Sequence, residues 1–99
     1  MADKAKKPEP VRIFGALAHP IRLGILRMLE NDSAIVNDMV EAFGLDQTKI
    51  SKHLAILRQA GFVSCSPEGR CRRYTLLDPD ALAILLDTAD AWPSVPEKP

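Results

Sequence analysis

The 99-residue sequence predicts a mostly α-helical domain with one small β-hairpin, in the order helix, helix, helix, helix, strand, strand, helix. Three observations lead there. Apolar residues recur at intervals of three and four through successive stretches, helix-ending residues separate those stretches, and beyond Gly61 the period changes before a last helical stretch begins. With 46% hydrophobic and 26% charged content, one core is expected. Residues 1–9, with three Lys and few apolar side chains, are expected to form a disordered arm, residues 10–92 the folded domain, and residues 93–99 a loose tail.

Val11, Phe14, Leu17 and Ala18 recur at helical spacing and define a first helix over residues 10–18, which stops before Pro20 because a residue preceding proline avoids the helical region. Pro20 suits the first position of a second helix, over residues 20–30, with Ile21, Ile25, Leu26 and Leu29 as its apolar stripe. Ser33 is the candidate cap of a short third helix bearing Ile35, Val36, Met39, Val40 and Phe43, which Gly44 ends. After a tight turn, Asp46 caps a fourth helix in which Ile50, Leu54, Leu57 and Ala60 repeat, closing on Gly61. Residues 62–66 and 71–77 read as strands joined by a turn at Pro67, Glu68, Gly69 and Arg70. Asp78 caps a last helix carrying Leu82, Leu85, Leu86, Ala89 and Trp92, ended by Pro93. Helix, short turn and helix followed by a hairpin is a winged helix-turn-helix, a fold that places the second helix of the pair in the DNA major groove.

Charge points the same way. Residues 47–73 contain Lys49, Lys52, Arg58, Arg70, Arg72 and Arg73 against Glu68 alone, a net of +5; the whole chain is formally neutral, so the remainder carries −5. Clustered cations of this kind are the footprint of a surface that meets phosphates and releases their counterions. With Ile50, Leu54 and Leu57 inward, the fourth helix turns Gln47, Thr48, Ser51 and Lys52 outward, with Lys49 and His53 at an angle. Gln can address adenine in bidentate fashion, Ser and Thr either bases or phosphate, and Lys guanine or phosphate. A solvated helix face would look similar in isolation, but the adjoining hairpin supplies Arg70, Arg72 and Arg73. Arg72 and Arg73 point to opposite faces of their strand, so Arg70 at the tip is the firmer candidate. His53 is equally well accounted for by helix packing, and Tyr74 and Leu76 by packing under the hairpin.

Other functions find little support. No apolar run approaches the ~20 residues of a membrane span, and the first ten residues lack the apolar core of a secretion signal, so a cytoplasmic protein without membrane contact is expected. The chain has no Gly-rich phosphate loop, no paired-His metal motif and no evident nucleophile beside a base, so no enzyme and no cofactor are expected. Cys65 and Cys71, on the two strands of one hairpin, are a candidate thiol sensor: oxidation or a soft ion such as arsenite would disturb the wing, with two unreactive half-buried residues as the plainer reading. The alternative to DNA binding is a winged-helix protein-interaction module whose basic face meets another acidic surface, without sequence-specific DNA recognition. The first and last helices carry more apolar surface than so small a domain can hide. Ile13, Phe14, Leu17, Leu82, Leu85, Leu86, Ala89 and Trp92 are therefore the candidate interface of a homodimer.

The stretches AHPIRLGILRML, DQTKISKHLAILRQAGFV and EGRCRRYTL, in this order and spacing, resemble the ArsR/SmtB family of bacterial and archaeal repressors over residues 14–78. The resemblance implies a winged-helix homodimer, joined by its first and last helices, that sits on an imperfect palindrome in double-stranded DNA and leaves when an inducer binds. It matches Gln47, Thr48, Ser51, Lys52 and His53 to the recognition helix and Arg70, Arg72 and Arg73 to the wing. The family's metal sites are not matched. Where many members carry Cys-x-Cys in the third helix, AIVNDMVEAF has no cysteine. Where others bind zinc through the last helix, this chain has Asp78, Asp80, Asp87 and Asp90 but no histidine.

Overall fold

Three prolines begin three of the five helices of the computed structural model, which describes residues 9–96. The expected arm lies outside the described residues except for Glu9, as do residues 97–99 of the expected tail; residues 93–96 are exposed and neither helical nor extended in a sheet. The elements are α1 (Pro10–Leu17), α2 (Pro20–Asn31), β1 (Ala34–Ile35), α3 (Val36–Phe43), α4 (Gln47–Gln59), β2 (Val63–Glu68), β3 (Cys71–Leu76) and α5 (Pro79–Asp90). Side chains cap the helices where their leading N–H groups lack partners: His19 Nδ1 accepts from the Ile21 N–H at 3.0 Å, Asp46 Oδ1 from Lys49 at 2.9 Å, and Asp78 Oδ1 from Ala81 at 3.0 Å.

The start of α3 differs from the expectation. Ser33 does not cap it; instead Ala34 and Ile35 form a two-residue strand, and Asp38 reaches back to accept the Ile35 N–H at 3.1 Å. Ala34 pairs with Tyr74 and Ile35 with Arg73, so the hairpin becomes a three-stranded antiparallel sheet of order β1-β3-β2. The element order is therefore helix, helix, strand, helix, helix, strand, strand, helix. A strand of two residues exists only because β3 is there to receive its hydrogen bonds, and nothing local announces it.

The first strand of the hairpin also runs further towards its tip, and the turn is tighter than the four-residue turn expected. Glu68 pairs with Cys71, leaving Gly69 and Arg70 as the loop. Gly69 has φ +60° and Arg70 is not in the positive-φ region, the pattern of a type II′ turn, whose twist suits a hairpin. Pro67 pairs with Arg72 on the outer strand, where a missing N–H costs no ladder bond with a further strand.

At the other end of α4, Gly61 takes φ +85° while its N–H donates to Arg58 O and the Phe62 N–H donates to Leu57 O, both at 3.0 Å. This double hydrogen bond satisfies the last carbonyls of α4 and turns the chain directly into β2. Beneath α4 and the sheet lies one core, with Ile25, Leu26, Met39, Ile50, Leu54, Leu57 and Val63 almost wholly buried. Tyr74, Leu82 and Leu86 extend that core to the wing and to α5.

Gly24 marks the close approach of α2 to α3: a Cβ there would lie 2.7 Å from Phe43 Cε1. In an open helix Gly→Ala would stabilise by about 1 kcal/mol. Here Gly24→Ala is expected instead to destabilise by about 1 kcal/mol, since the overpacking cost, typically about 1–3 kcal/mol, exceeds that gain. Urea denaturation of Gly24→Ala, Phe43→Leu and the double variant checks this: the double variant should lose less than the two single losses combined.

Candidate nucleic-acid interface

Helix α4 and the hairpin stand on either side of an open groove of about 500 Å³. Gln47 and Ser51 line it from α4, Arg70, Arg72 and Tyr74 from the hairpin, and Asn37 from α3. The pairing with β3 places the wing against the helix, and the three-residue turn from Gly44 to Asp46 sets α4 across α3. A second open groove, of about 420 Å³, is lined by Ser51, Ala55, Arg58, Gln59 and Tyr74. Ser51 and Tyr74 thus border both.

Gln47, Thr48, Lys49, Ser51 and Lys52 are all exposed, as the spacing of Ile50, Leu54 and Leu57 predicts. Among the described residues neither Lys49, Lys52 nor Arg70 is ion-paired with a carboxylate. Arg70 lies in the turn, at the far end of the wing. Burial pushes the Tyr74 phenol above its ordinary range, with the Cys65 thiol acting in the same direction, so a neutral, packed Tyr74 forms the floor between the grooves.

Arg72 and Arg73 diverge as strand alternation requires. Arg72 is exposed and donates to Cys65 Sγ at 3.6 Å. Arg73 turns the other way and grips Glu68 with two hydrogen bonds of 2.8 Å while donating to Ser33 Oγ at 3.1 Å. Those hydrogen bonds hold the Glu68 carboxyl below its usual range and raise the guanidinium further. The Arg73 fork therefore fastens the end of β2 to the connection between α2 and β1, with three of its five N–H donors engaged within the chain.

His53 is not part of the exposed row. Its ring lies against His19, centroids 4.5 Å apart, and its Nδ1 is 3.3 Å from Arg22 Nη1. Sequence spacing could not reveal this contact, which joins residues 31 positions apart. Asn37 was missed as a groove residue; its signal was a polar side chain in the first turn of the helix before the recognition helix.

The thiols do not approach each other. Cys65 pairs with Tyr74 and Cys71 with Glu68, so they lie on opposite faces of the hairpin, separated by three positions or roughly 10 Å along the strand. A disulfide between them would need a change of register. Among the described residues of the single chain no group of three or more His, Cys, Asp or Glu is placed to hold a metal ion. Asp90, exposed at the end of α5, receives Arg27 Nη2 on both oxygens at 2.8 and 2.9 Å, which ties that end of α5 to α2.

The expected interface on α1 and α5 needs correction in part. Leu82 and Leu86 face the protomer's own core and are buried, because α5 packs with that edge inward. Exposed large apolar side chains here include Val11 and Phe14 on α1, Ile84 on α5 and Trp92 just beyond it; Ile56, Leu77 and Val95 are exposed as well. The two helices adjoin: Ile13 lines one apolar groove with Ala81 and Leu85. No helix among the described residues is long and apolar enough to cross a membrane.

Residues 19–64 match the family model described as "Bacterial regulatory protein, arsR family". The arsenical resistance operon repressor of Escherichia coli (strain K12) is 36% identical over 92 residues, covering 90% of this chain and 77% of that repressor. The HTH-type transcriptional regulator NmtR of Mycobacterium tuberculosis is 43% identical over 74 residues, 75% of this chain but only 61% of NmtR, so the chain spans less than two thirds of that regulator's length. Among solved structures, a homodimeric winged helix-turn-helix DNA-binding domain from Mycobacterium bovis matches with a TM-score of 0.74 and 29% identity, over 81% of this chain and 77% of that one. With this agreement in sequence over nearly its full length and in the winged helix-turn-helix fold, the chain belongs to the arsR family of bacterial regulatory proteins.

Proposed function

We propose that the chain is a transcriptional regulator that binds a palindromic operator in double-stranded DNA as a homodimer and represses from it. The observation that carries this reading is the groove between α4 and the wing, where Gln47 and Ser51 face Arg70 and Arg72 across a span open to a ligand. Gln47, Thr48 and Ser51 would read base edges, Lys49, Lys52 and Arg72 would hold the backbone near the helix, and Arg70 would follow the backbone or the minor groove at the wing tip. Two-fold symmetry through α1 and α5 would set paired recognition helices about 34–36 Å apart, one turn of duplex. The names of the related repressors and the homodimeric state of the M. bovis domain support the same reading. Release by an inducer acting on Cys65 or Cys71 would proceed at each thiol separately, given their placement on opposite faces.

Selection from random DNA, followed by titration of the selected operator and a scrambled duplex at two salt concentrations, tests the proposal. The operator should be preferred by roughly 10³-fold or more. Arg70→Ala is expected to weaken both duplexes by a similar factor and to reduce the salt dependence, whereas Gln47→Ala should cost roughly 1–3 kcal/mol on the operator and little on the scrambled duplex. Equal affinity for the two duplexes in the unsubstituted protein would instead leave a basic protein-interaction module.

A further inference from the structure

We infer that His53 is a positioning residue of the recognition helix: its Nδ1 accepts from Arg22 and so ties α4 to the junction of α1 and α2, a tie that a single proton on that nitrogen removes. The inference rests on the DNA-binding reading above and assigns His53 a role within it other than contact with DNA.

The geometry dictates the direction of the hydrogen bond. A guanidinium has donors only, so with Arg22 Nη1 at 3.3 Å the His53 Nδ1 must present its lone pair, and a neutral ring then carries its hydrogen on Nε2. Arg22 is itself fixed. Its Nε donates to Ala16 O at 2.7 Å and its Nη2 to Gly15 O at 3.3 Å, which are carbonyls near the end of α1. One side chain on α2 therefore joins α1, whose outer face is the proposed dimer contact, to α4, the proposed reading element. A shift of α4 relative to α1 would change the separation of the two recognition helices in a dimer, and a palindrome tolerates little such change.

Among the described residues, the charged and titratable groups bearing on His53 are basic. Arg22 and His19 face it from α2 and its cap, and Lys49 stands one turn before it on α4. Burial, then His19, then Arg22 hold the His53 pKa below the ordinary histidine range. Because the folded chain holds the neutral ring more strongly than the unfolded chain does, the stabilisation is complete above the ordinary histidine range. It is lost as the pH falls through that range towards the lowered folded pKa. His19 Nδ1 is engaged by the Ile21 N–H, so a proton there would loosen the cap of α2 instead.

This arrangement gives a sign opposite to that of direct contact. A histidine touching phosphate binds DNA more tightly when protonated, whereas His53 as a hydrogen-bond acceptor must lose affinity in acid. The test is the affinity of the full chain for its selected operator from pH 7.5 to pH 5.5 at constant ionic strength, in the unsubstituted protein and in His53→Ala, His53→Gln and His19→Asn. His53→Ala should weaken binding roughly three- to tenfold at pH 7.5, the scale of one hydrogen bond, and His53→Gln, whose carbonyl can accept from Arg22, should recover most of that loss. The unsubstituted protein should weaken as the pH falls below the ordinary histidine range, and His53→Gln should not. A flat or acid-strengthened profile with operator discrimination intact overturns the inference alone. An acid loss that survives in His53→Gln and vanishes in His19→Asn overturns the assignment to His53. Absence of discrimination at pH 7.5 in the unsubstituted protein overturns the DNA-binding reading and the inference with it.

Discussion

Leu54→Ala is expected to lower the unfolding free energy by about 2–5 kcal/mol, the range for truncating a fully buried leucine. Leu54 is 1% exposed and sits on the inner face of α4, between Ile50 and Leu57, which are wholly buried. Truncation would leave a void at the point where the recognition helix is seated on the core. A domain of this size has a total stability on the order of 5–15 kcal/mol, so this one change would remove a large share of it and operator binding would fail through unfolding. Lys52→Ala, on the exposed face of the same helix, should alter stability by no more than about 0.5 kcal/mol while weakening DNA binding. Denaturant titration of both variants at one protein concentration decides the matter: similar stability losses would mean that the inward and outward faces of α4 have been misassigned. Fixing the concentration matters because a dimer's apparent stability depends on it.

Replacing Phe14 and Ile84 together by aspartate is expected to leave the domain folded but monomeric, and to cost operator affinity by a factor on the order of 10²–10⁴, the usual scale of lost bivalent engagement. Phe14 is 60% and Ile84 67% exposed in the protomer, with Val11 and Trp92 still more so, on two helices that adjoin. Single exposed apolar residues are ordinary, whereas four large ones on two neighbouring helices of so small a domain are what a surface covered by a second copy would present. Introduced carboxylates would have to be desolvated opposite each other across a two-fold axis, which opposes association strongly. Sedimentation velocity, together with titration of a full palindrome and an isolated half-site, gives the readout. The double variant should bind the half-site about as well as the unsubstituted chain does. A dimer that persists in the double variant would place the contact elsewhere.

These two expectations draw on different levels of information. The seating of Leu54 was legible from periodicity alone, because a 3.6-residue repeat bounded by Asp46 and Gly61 leaves one way to turn the helix. The uncovered face was legible only in outline. The apolar positions of α5 were evident, but Leu82 and Leu86 turned out to belong to the core and Ile84 to the outside. A helix with apolar residues on more than one face does not itself say which face its own domain will take.

The wing shows the same division. Its existence followed from the change of period after Gly61 and from the Glu-Gly-Arg turn. Its length did not, since Pro67 reads locally as a turn residue, and only an outer strand with no further neighbour lets it pair with Arg72. The spread of Arg72 and Arg73 to opposite faces was implied by strand geometry. That Arg73 would be gripped by Glu68 and Ser33, while Arg70 at the tip has no ion pair among the described residues, needed the register of three strands.

What the chain's order of residues determined alone was local: where helices start and stop, which stripe of each is apolar, that a hairpin follows the recognition helix, and that its cations gather within residues 47–73. These are matters of neighbours three or four positions apart, whose energies do not depend on the rest of the molecule. Tertiary structure alone decided the two-residue strand β1, the inward edge of α5, the clamp on Arg73, and the contact that turns His53 from the exposed row of α4 towards His19 and Arg22. Each joins groups far apart in the chain, and such contacts form only once the core has brought them within hydrogen-bonding reach.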